Sequence, residues 1–369
     1  MPEPARLHRV PLHAQVADLL RDEIHAEHAP GARLDSEAKL AKRFSVSVPT
    51  LREALSTLAR EGLLERRHGS GTYVADRGRG KHVAVVTELA LAHPQTSPFY
   101  LHVTQHLRAY FEQRGIPVRV YVGHVAAGEQ EPVETTCPEF LHDIRQQSIR
   151  GLAVVGASPL AQWFAPLREQ GIPMVGGTPE YPLHVQLDYD GLVREGVRLL
   201  AARDRRRVAV MGSGWHETVL HEAMTDADLP VHEAWICRGM HPADPRAGAR
   251  AFAEIWEARE EQPDGLIVTD DMLGQSAAMA ILKYGIRVPD DLLVVSHANR
   301  GSSVPHLFPV ILLEGDPQAY AEAMGGLLVQ RLQGEEQTEP RAVLGFQRRE
   351  EEAVWPPRAE EPAQVAQRV

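Results

Sequence analysis

The sequence predicts an α/β protein in which a small N-terminal helical domain precedes two lobes of parallel β-sheet. Residues 11–75 carry helical patterns that end in a short hairpin. From His82 onward, short apolar segments typical of strands alternate with amphipathic segments typical of helices. Continuous apolar strands favour parallel sheets covered by helices on both faces. The length of this part, roughly 270 residues, favours two lobes over one.

The N-terminal domain is predicted to contain three helices and a hairpin. Apolar residues recur near the helical period between residues 11 and 28. Ser36 is predicted to cap a second helix and Ser47 a third, because serine oxygens accept hydrogen bonds from first-turn N–H groups. Pro49 fits this start, since a first-turn N–H has no intrahelical partner to lose. Residues 63–75 then predict two strands around a glycine-containing loop, which completes a winged helix-turn-helix.

The α/β body is predicted to alternate strands with helices. Three helices end in similar sequences, in which Gly115, Gly171 and Gly285 suit the left-handed position that closes a helix. The predicted strands are 82–87, 116–122, 151–156, 172–176, 183–188, 207–211, 265–269, 292–296 and 309–313. The clearest predicted helices are 99–114, 138–148, 190–203, 244–258, 271–284 and 316–333.

Composition divides the chain into four segments. The helical domain takes residues 1–75, and the polar, glycine-containing stretch 76–81 is predicted to be a linker. The body takes residues 82–349. Residues 350–369 are rich in Pro, Glu and Ala, a composition that predicts a disordered tail.

Charge is distributed unevenly between these segments. Residues 1–80 carry 13 Lys and Arg against 11 Asp and Glu, whereas the rest of the chain carries 26 against 39. An acidic body repels a polyanion, so nucleic-acid contacts are expected in the N-terminal domain. The sequence has no run of 18 apolar residues and no apolar core of a signal peptide at its start, and Cys137 and Cys237 lie outside metal-binding spacings. These features predict a cytoplasmic protein without a membrane segment.

Three motifs in the N-terminal domain point to a known family. They are PGARLDSEAKLAKRFSVS, PTLREALSTLAREGLL and RRHGSGTYV. With this order and spacing, the domain resembles the DNA-binding domain of GntR-family transcription regulators. The resemblance implies DNA contacts at the start of the recognition helix and on the wing, by Ser47, Thr50, Arg52, Arg66, Arg67, His68 and Gly69. The alternative is a winged helix that makes only protein contacts.

Physical chemistry agrees with these roles. An arginine near the start of a helix in the major groove can form a bidentate contact with guanine or clamp a phosphate. Arg66, Arg67 and His68 place positive charge on the wing, where it can meet phosphates. Two positions depart from the family, since Ala38 and Val48 stand where GntR relatives often carry a DNA-contacting arginine. The operator sequence is therefore left open.

The body carries a second set of motifs. The most specific is PDGLIVTDDMLGQSAAMAILKYGIRVPDDLLVVS at 263–296, and HVAVV, RGLAVVGA, LDYDGLVREGVRLL and VILLEGDPQAYAEAM stand around it. In this order they resemble the two-lobed sensor domain of LacI/GalR-type repressors, which is related to periplasmic sugar-binding proteins. A GntR-type head on such a sensor is similar to the arabinose-repressor-like arrangement. The resemblance implies a small-molecule effector between the lobes, at the carboxyl ends of strands.

The candidate effector-binding residues follow from this resemblance. Asp270 occupies a position where relatives often have a ligand-binding Asn, and its carboxylate can accept hydrogen bonds from hydroxyls. The adjacent Asp271 is interpreted as a helix N-cap. Trp215 and His216 lie in a loop where relatives carry a ligand-contacting arginine. The full candidate set is Phe99, Tyr100, Trp215, His216, Asp270 and Asn299; for the first two, core packing is the alternative.

The sequence does not predict an enzyme. It contains no P-loop, HExxH or GxSxG motif, and the glycines of MGSG at 211–214 lack dinucleotide-binding spacing. His216 and His221 are five residues apart, which argues against a metal pair on one helical face. No cofactor is expected.

The predicted function is a ligand-responsive transcription regulator, a repressor controlled by a small polar effector such as a sugar. It is expected to bind a double-stranded DNA operator as a homodimer, without membrane contact. The alternative is a cytoplasmic small-molecule-binding protein whose winged helix makes protein contacts.

Overall fold

A computed structural model describes residues 11–27, 32–60, 63–67, 71–74, 81–125, 137–156, 161–240, 244–258, 261–302, 307–335 and 340–351. Contacts divide the chain into two compact units, of which the first comprises residues 1–82 and 146–150. Within the described residues, no helix combines the length and the hydropathy needed to cross a bilayer.

The N-terminal domain is a winged helix-turn-helix, as predicted. Its elements are α1 (Leu12–Glu27), α2 (Glu37–Arg43), α3 (Val48–Arg60) and the antiparallel strands β1 (Leu64–Arg67) and β2 (Gly71–Val74). Leu20, Leu51, Leu55 and Leu58 have no exposed surface and join α1 and α3 in one core. The apolar stripe of α3 thus faces inward, which leaves its opposite face to solvent.

Both predicted serine caps are present. Ser36 Oγ accepts a hydrogen bond from Lys39 N at 3.4 Å, and Ser47 Oγ accepts one from Thr50 N at 3.3 Å. These bonds satisfy first-turn donors that have no partner inside the helix.

The wing has an additional segment that the sequence did not predict. Leu34 N donates to Thr72 O at 2.9 Å, and Val74 N donates to Ala32 O at 2.8 Å. Residues 32–34 therefore pair with β2 as a short third strand. The sequence marked only a helix break there, because Pro30 and Gly31 dominate the local pattern.

The body contains twelve strands and eight helices among the described residues. The strands are β3 (His82–Leu89), β4 (Val118–Val125), β5 (Ile149–Val154), β6 (Met174–Gly176), β7 (Leu183–Leu187), β8 (Val208–Met211), β9 (Ile236–Cys237), β10 (Gly265–Val268), β11 (Leu293–Asn299), β12 (Val310–Gly315), β13 (Arg341–Leu344) and β14 (Gln347–Glu351). The helices are α4 (Pro98–Gln113), α5 (Pro138–Arg145), α6 (Phe164–Glu169), α7 (Tyr189–Ala201), α8 (Glu217–Asp226), α9 (Ala247–Glu257), α10 (Asp271–Lys283) and α11 (Pro317–Leu332), with a 3-10 turn at Glu233–Trp235.

These elements form two lobes, each around a six-stranded sheet. The first sheet has the order β13-β7-β6-β5-β3-β4, and α4 and α11 pack together on one of its faces. The second has the order β14-β12-β11-β10-β8-β9, with α9 and α10 over one face and α7 and α8 over the other. The second sheet is parallel except for β14, which pairs antiparallel with β12.

The chain crosses between the lobes three times. The crossings lie between β7 and α7, between β12 and α11, and between β13 and β14. They bring Tyr189, Gly315 and Phe346 to the lobe junction. The carboxyl ends of β10 and β11 lead to this junction, which is where open α/β sheets bind ligands.

The nine predicted strands and six predicted helices of the body are all present, with ends that differ by a few residues. Gly115, Gly171 and Gly285 have φ values of 65°, 70° and 68°, which confirms their helix-closing role. The sequence missed β9, β13, β14, α6 and α8. The last strand runs to Glu351, into the segment predicted to be a tail, and residues 352–369 lie outside the described part of the chain.

Candidate functional site

The start of α3 presents three of the predicted DNA-contacting residues. Ser47 and Arg52 are exposed, and Thr50 is half-buried. Ser47 Oγ and Thr50 Oγ1 share a hydrogen bond of 2.8 Å. Ser47 thus caps the helix and also offers a hydroxyl at its amino end, where N–H groups and the helix dipole favour an anion.

Glu37 connects two of the predicted arginines. Arg52 Nε lies 2.7 Å from Glu37 Oε2, and an Arg66 amino group lies 4.0 Å from Glu37 Oε1. The same Arg66 group donates to the carbonyl of Arg52 at 3.3 Å. The recognition helix and the wing therefore meet around the carboxylate of Glu37. The two guanidinium groups and this one carboxylate together carry a net charge of +1.

This ion pair is weak enough to be exchanged. Arg52 is 62% exposed, and exposed ion pairs contribute at most about 1 kcal/mol. A phosphate or a guanine edge can replace Glu37 as the partner of Arg52. Nothing in the sequence indicated that Glu37 would lie between the two arginines, because Arg52 and Arg66 are 15 and 29 residues away in the chain.

The rest of the wing is described in part. Arg67 pairs with Gly71 in the β1–β2 ladder, but its side chain is outside the described part of the chain, as are His68 and Gly69. Their DNA contacts stay predictions.

In the body, Asp270 caps α10. Its Oδ1 accepts hydrogen bonds from Met272 N and Leu273 N, both at 2.9 Å. The interpretation of Asp271 as the cap is wrong, because Asp270 has the extended backbone of a cap and Asp271 is the first helical residue. Burial raises the pKa of Asp270 to about 7, and the neighbouring charge of Asp271 adds to this shift.

Asp271 instead joins the two lobes. Its side chain is buried, and Oδ2 accepts hydrogen bonds from Ser97 Oγ at 3.1 Å and from Asn299 Nδ2 at 2.9 Å. Ser97 caps α4 in the first lobe, whereas Asp271 and Asn299 belong to the second. The structure thus places the predicted Asn299 beside Asp270 and Asp271, and it adds Ser97, which the sequence analysis did not select.

His297 lies fully buried next to this cluster. Burial lowers the pKa of its imidazole, partly opposed by the charge of Asp271. Its ring lies 5.7 Å from that of Tyr189 and 5.3 Å from that of Phe346, so it contacts residues from two crossings. The Asn299 side chain also opposes the lowering of the His297 pKa through a hydrogen bond to the imidazole, and beyond that contact neither the ring nitrogens nor Asn299 Oδ1 has a hydrogen-bond partner among the described residues. Buried polar atoms without partners are rare and are candidates for ligand or water contacts.

The predicted aromatic pair lies in the first lobe at the start of α4. Phe99 and Tyr100 are half-buried, and the Phe99 ring lies 5.2 Å from the ring of Tyr320. Both also pack against the core of the first lobe. Core packing therefore remains an alternative role for Phe99 and Tyr100.

The phenol of Tyr189 lies near the carboxylate of Asp270. Burial raises the pKa of Tyr189, and the charge of Asp270 is the second cause of this shift.

Trp215 and His216 take different environments. The Trp215 ring is buried in the core of the second lobe, with the guanidinium of Arg238 5.4 Å from its centre. His216 is exposed, and its Nδ1 lies 2.8 Å from an oxygen of Asp190. Within the described residues, no hydrogen bond joins either residue to Asp270 or Asp271. Their role in effector binding stays a prediction.

Comparison with known proteins assigns both parts of the chain. The family model of bacterial regulatory proteins of the gntR family matches residues 12–74. The model of the periplasmic binding protein-like domain matches residues 193–349.

Relatives match the two parts separately. The mannosyl-D-glycerate transport/metabolism system repressor MngR of Escherichia coli (strain K12) is 43% identical over 67 residues, which cover 18% of this chain and 28% of MngR. The HTH-type transcriptional repressor PurR of Pectobacterium carotovorum subsp. carotovorum (strain PC1) is 23% identical over 284 residues, which cover 70% of this chain and 79% of PurR. The match at the N-terminal domain therefore spans less than a third of that relative.

Among solved structures, the lac repressor dimer bound to operator and the anti-inducer ONPF aligns with a TM-score of 0.59 and 16% sequence identity. The alignment covers 75% of this chain and 95% of the repressor chain. At this identity the likeness shows the fold. The chain therefore joins a GntR-type helix-turn-helix domain to a two-lobed periplasmic-binding-protein-like domain, and MngR and PurR, which match these two parts, are named as transcriptional repressors.

Proposed function

We propose that the protein is a cytoplasmic, ligand-responsive transcription regulator, a repressor that binds operator DNA through its N-terminal domain and a small polar effector between its lobes. One observation carries this proposal. The chain combines an exposed arginine pair, Arg52 and Arg66, on a winged helix with a buried polar cluster at a lobe junction. Binding at such a junction can change the relation between lobes, and a ligand shifts an equilibrium by its difference in affinity for the two states.

The N-terminal domain supplies the DNA-binding half. Its recognition helix has an exposed polar face, and among the described residues the charge of Arg52 is balanced by one surface carboxylate, that of Glu37. DNA offers guanine edges and phosphates that bind guanidinium more strongly than an exposed Glu does. MngR and PurR are both named as repressors, which supports this use of the domain.

The lobe junction supplies the effector-binding half. Asp270 has a second carboxylate oxygen beyond its helix cap, and Asn299 Oδ1 has no partner among the described residues apart from the His297 imidazole. These groups are acceptors, so they suit a ligand rich in hydroxyl or amine donors. A sugar or a related polyol has this chemistry, and MngR, by its name, serves a mannosyl-D-glycerate system.

Dimerisation is supported by a largely apolar groove on the second lobe. It lies between α10 and the strands β11 and β12 and is lined by Val294, Val310 and Leu312, and it also reaches Asp271, His297 and Asn299 of the polar cluster. Met279 and Leu307 line it and are 57% and 41% exposed, and Leu282 on α10 is 49% exposed. A second copy that covers this surface would also supply the second winged helix that a pseudo-palindromic operator requires. The solved lac repressor structure is that of a dimer bound to its operator.

Gel-shift titration with the DNA upstream of the protein's own gene tests this proposal. Arg52→Ala should weaken specific binding by about 1–3 kcal/mol, the value of one bidentate base contact, and leave the fold intact. Arg108→Ala is the matched control, because Arg108 lies on α4 in the body and forms a similar exposed ion pair with Glu112. Equal affinity of Arg52→Ala and parent would contradict the DNA-binding role.

The alternative function is a small-molecule-binding protein whose winged helix contacts another protein. It predicts that neither arginine variant changes DNA binding, because the parent itself would bind DNA weakly and without preference for the upstream sequence. Competition with unrelated DNA of the same length separates the two functions.

A further inference from the structure

A cluster of metal-ligating side chains lies outside both proposed binding sites. Glu217 and His221 stand four residues apart on α8, which places them on neighbouring turns of one helix face. Glu233 approaches them from the 3-10 turn. His221 Nε2 lies 3.8 Å from Glu217 Oε1 and 3.5 Å from Glu233 Oε1, and the donor atoms of all three lie within 4.8 Å of one another.

The imidazole nitrogen at the centre of this cluster has an unusual environment. His221 Nε2 is buried, yet it has no hydrogen-bond partner among the described residues. A charge-assisted hydrogen bond between imidazolium and carboxylate would bring the two atoms to about 2.7–2.9 Å. Both carboxylate oxygens stay well beyond that distance. The nitrogen is thus held between two carboxylates without bonding directly to either.

These separations suit ligands that share an ion. Ligand atoms about 2.0–2.2 Å from a tetrahedral Zn²⁺ lie roughly 3.4 Å apart, close to the shorter separation observed here. The Glu217, His221 and Glu233 side chains are 41%, 44% and 69% exposed, so an ion can reach them from solvent. Small rotations of the two glutamate side chains would bring their oxygens to the separation from His221 Nε2 that a shared ion requires.

We propose that Glu217, His221 and Glu233 form a binding site for a first-row divalent cation of the Zn²⁺ type. An imidazole nitrogen with two carboxylate oxygens favours zinc and its neighbours over Mg²⁺ and Ca²⁺, which prefer oxygen ligands alone. Three protein ligands leave a fourth position for water.

Arg238 contacts one of the three proposed ligands without being a ligand itself. Its guanidinium pairs with Glu217 Oε2, which leaves Oε1 directed to His221. Such contacts orient a ligating carboxylate. The two glutamates outweigh the one guanidinium, so the cluster keeps a net negative charge that attracts a cation.

The ion would connect two separate segments. Glu217 and His221 belong to α8, whereas Glu233 precedes the fully buried Trp235 in the core of the second lobe. Binding should therefore stabilise the folded body, since a ligand that binds only the native state raises its stability. This inference does not depend on DNA or effector binding.

Calorimetric titration of the chelator-treated full chain with ZnSO₄ tests the site. The parent should bind one tight equivalent of Zn²⁺, and both His221→Ala and Glu233→Gln should bind that equivalent at least about tenfold more weakly. Glu222→Gln on the same helix and the exposed His142→Ala are matched controls and should retain it. With 18 histidines in the chain, the comparison of stoichiometry between variants excludes weaker surface binding.

A second readout tests the geometry. Co²⁺ in a site of low coordination number absorbs visible light, so the parent should show a Co²⁺ absorption band that both ligand variants lack. Zn²⁺ should also raise the melting temperature of the parent and not that of Glu233→Gln, whose exposed side chain is not needed for folding. Absence of a tight equivalent in the parent, or its retention in His221→Ala, would overturn the proposal.

Discussion

Ser97 Oγ lies 3.1 Å from Asp271 Oδ2, and this hydrogen bond joins the cap of α4 in the first lobe to the first residue of α10 in the second. Asp271 accepts a further bond from Asn299 on the same oxygen. The carboxylate is buried, and hydrogen bonds to charged groups contribute about 1.5–3 kcal/mol each. This contact therefore links the proposed effector site directly to the association of the lobes.

Ser97→Ala should lower the free energy of unfolding by about 1–3 kcal/mol, because it removes both the bond to Asp271 and the cap of α4. Ser97→Thr keeps a hydroxyl at this position and should retain most of the stability. Urea unfolding followed by circular dichroism measures both variants. An unchanged midpoint for Ser97→Ala would mean that the hydrogen bond does not stabilise the body in solution.

Ala38→Arg should strengthen the salt dependence of DNA binding. Ala38 is exposed in the first turn of α2, next to the Glu37 that holds Arg52. One added phosphate contact steepens the slope of log affinity against log salt by about 0.9. Ala202→Arg adds the same charge at an exposed position of the body and should leave the slope unchanged. Identical slopes for the two variants would show that position 38 does not reach DNA.

Asp270→Asn should change how stability depends on pH. The folded protein holds the pKa of Asp270 at about 7, above its ordinary 3.8, because burial disfavours the charged form. The folded state therefore binds this proton more tightly than the unfolded state does, and the resulting stability is lost as pH rises from about 4 through about 7.

An asparagine has no such titration and can still cap α10. The parent should thus lose stability relative to Asp270→Asn between pH 5 and pH 8, which urea midpoints at the two pH values measure. Parallel pH profiles for the two proteins would contradict the raised pKa.

Met279→Glu should dissociate the proposed dimer. Met279 is 57% exposed beside the apolar groove of the second lobe, and a charge buried there without a partner opposes association. Val343→Glu, which is 54% exposed on β13 of the first lobe, is the matched control. Light scattering during size exclusion should show a smaller mass for Met279→Glu only. A parent that is already monomeric on operator DNA would remove the basis of the prediction.

The helical domain and the order of the body's elements are readable from the sequence because their signals are local. Ser36 and Ser47 cap helices that begin one residue later, and Gly285 ends α10 with a backbone that favours glycine. Apolar periodicity likewise marks the buried strands. Each of these signals acts within a few residues, so no knowledge of distant partners is needed.

Other elements exist only because a distant segment pairs with them. Residues 32–34 pair with β2, β13 pairs with β7, and β14 pairs with β12. These segments are short, and β14 (QRREE) is wholly polar, so they carry little strand signal of their own. The partner's free edge decides their conformation.

At the lobe junction, too, local sequence revealed some of the residues and the tertiary structure decided their roles. The sequence pointed to Asp270 and Asn299 as candidate ligands, but it assigned the helix cap to Asp271. In the folded protein Asp270 caps the helix, and Asp271 accepts a hydrogen bond from Ser97. Ser97 is 174 residues away from Asp271 in the chain and lies 3.1 Å from it only after both lobes have folded. A carboxylate's neighbours decide whether it caps a helix, joins lobes or stays protonated, and those neighbours are brought together by the fold rather than by local sequence.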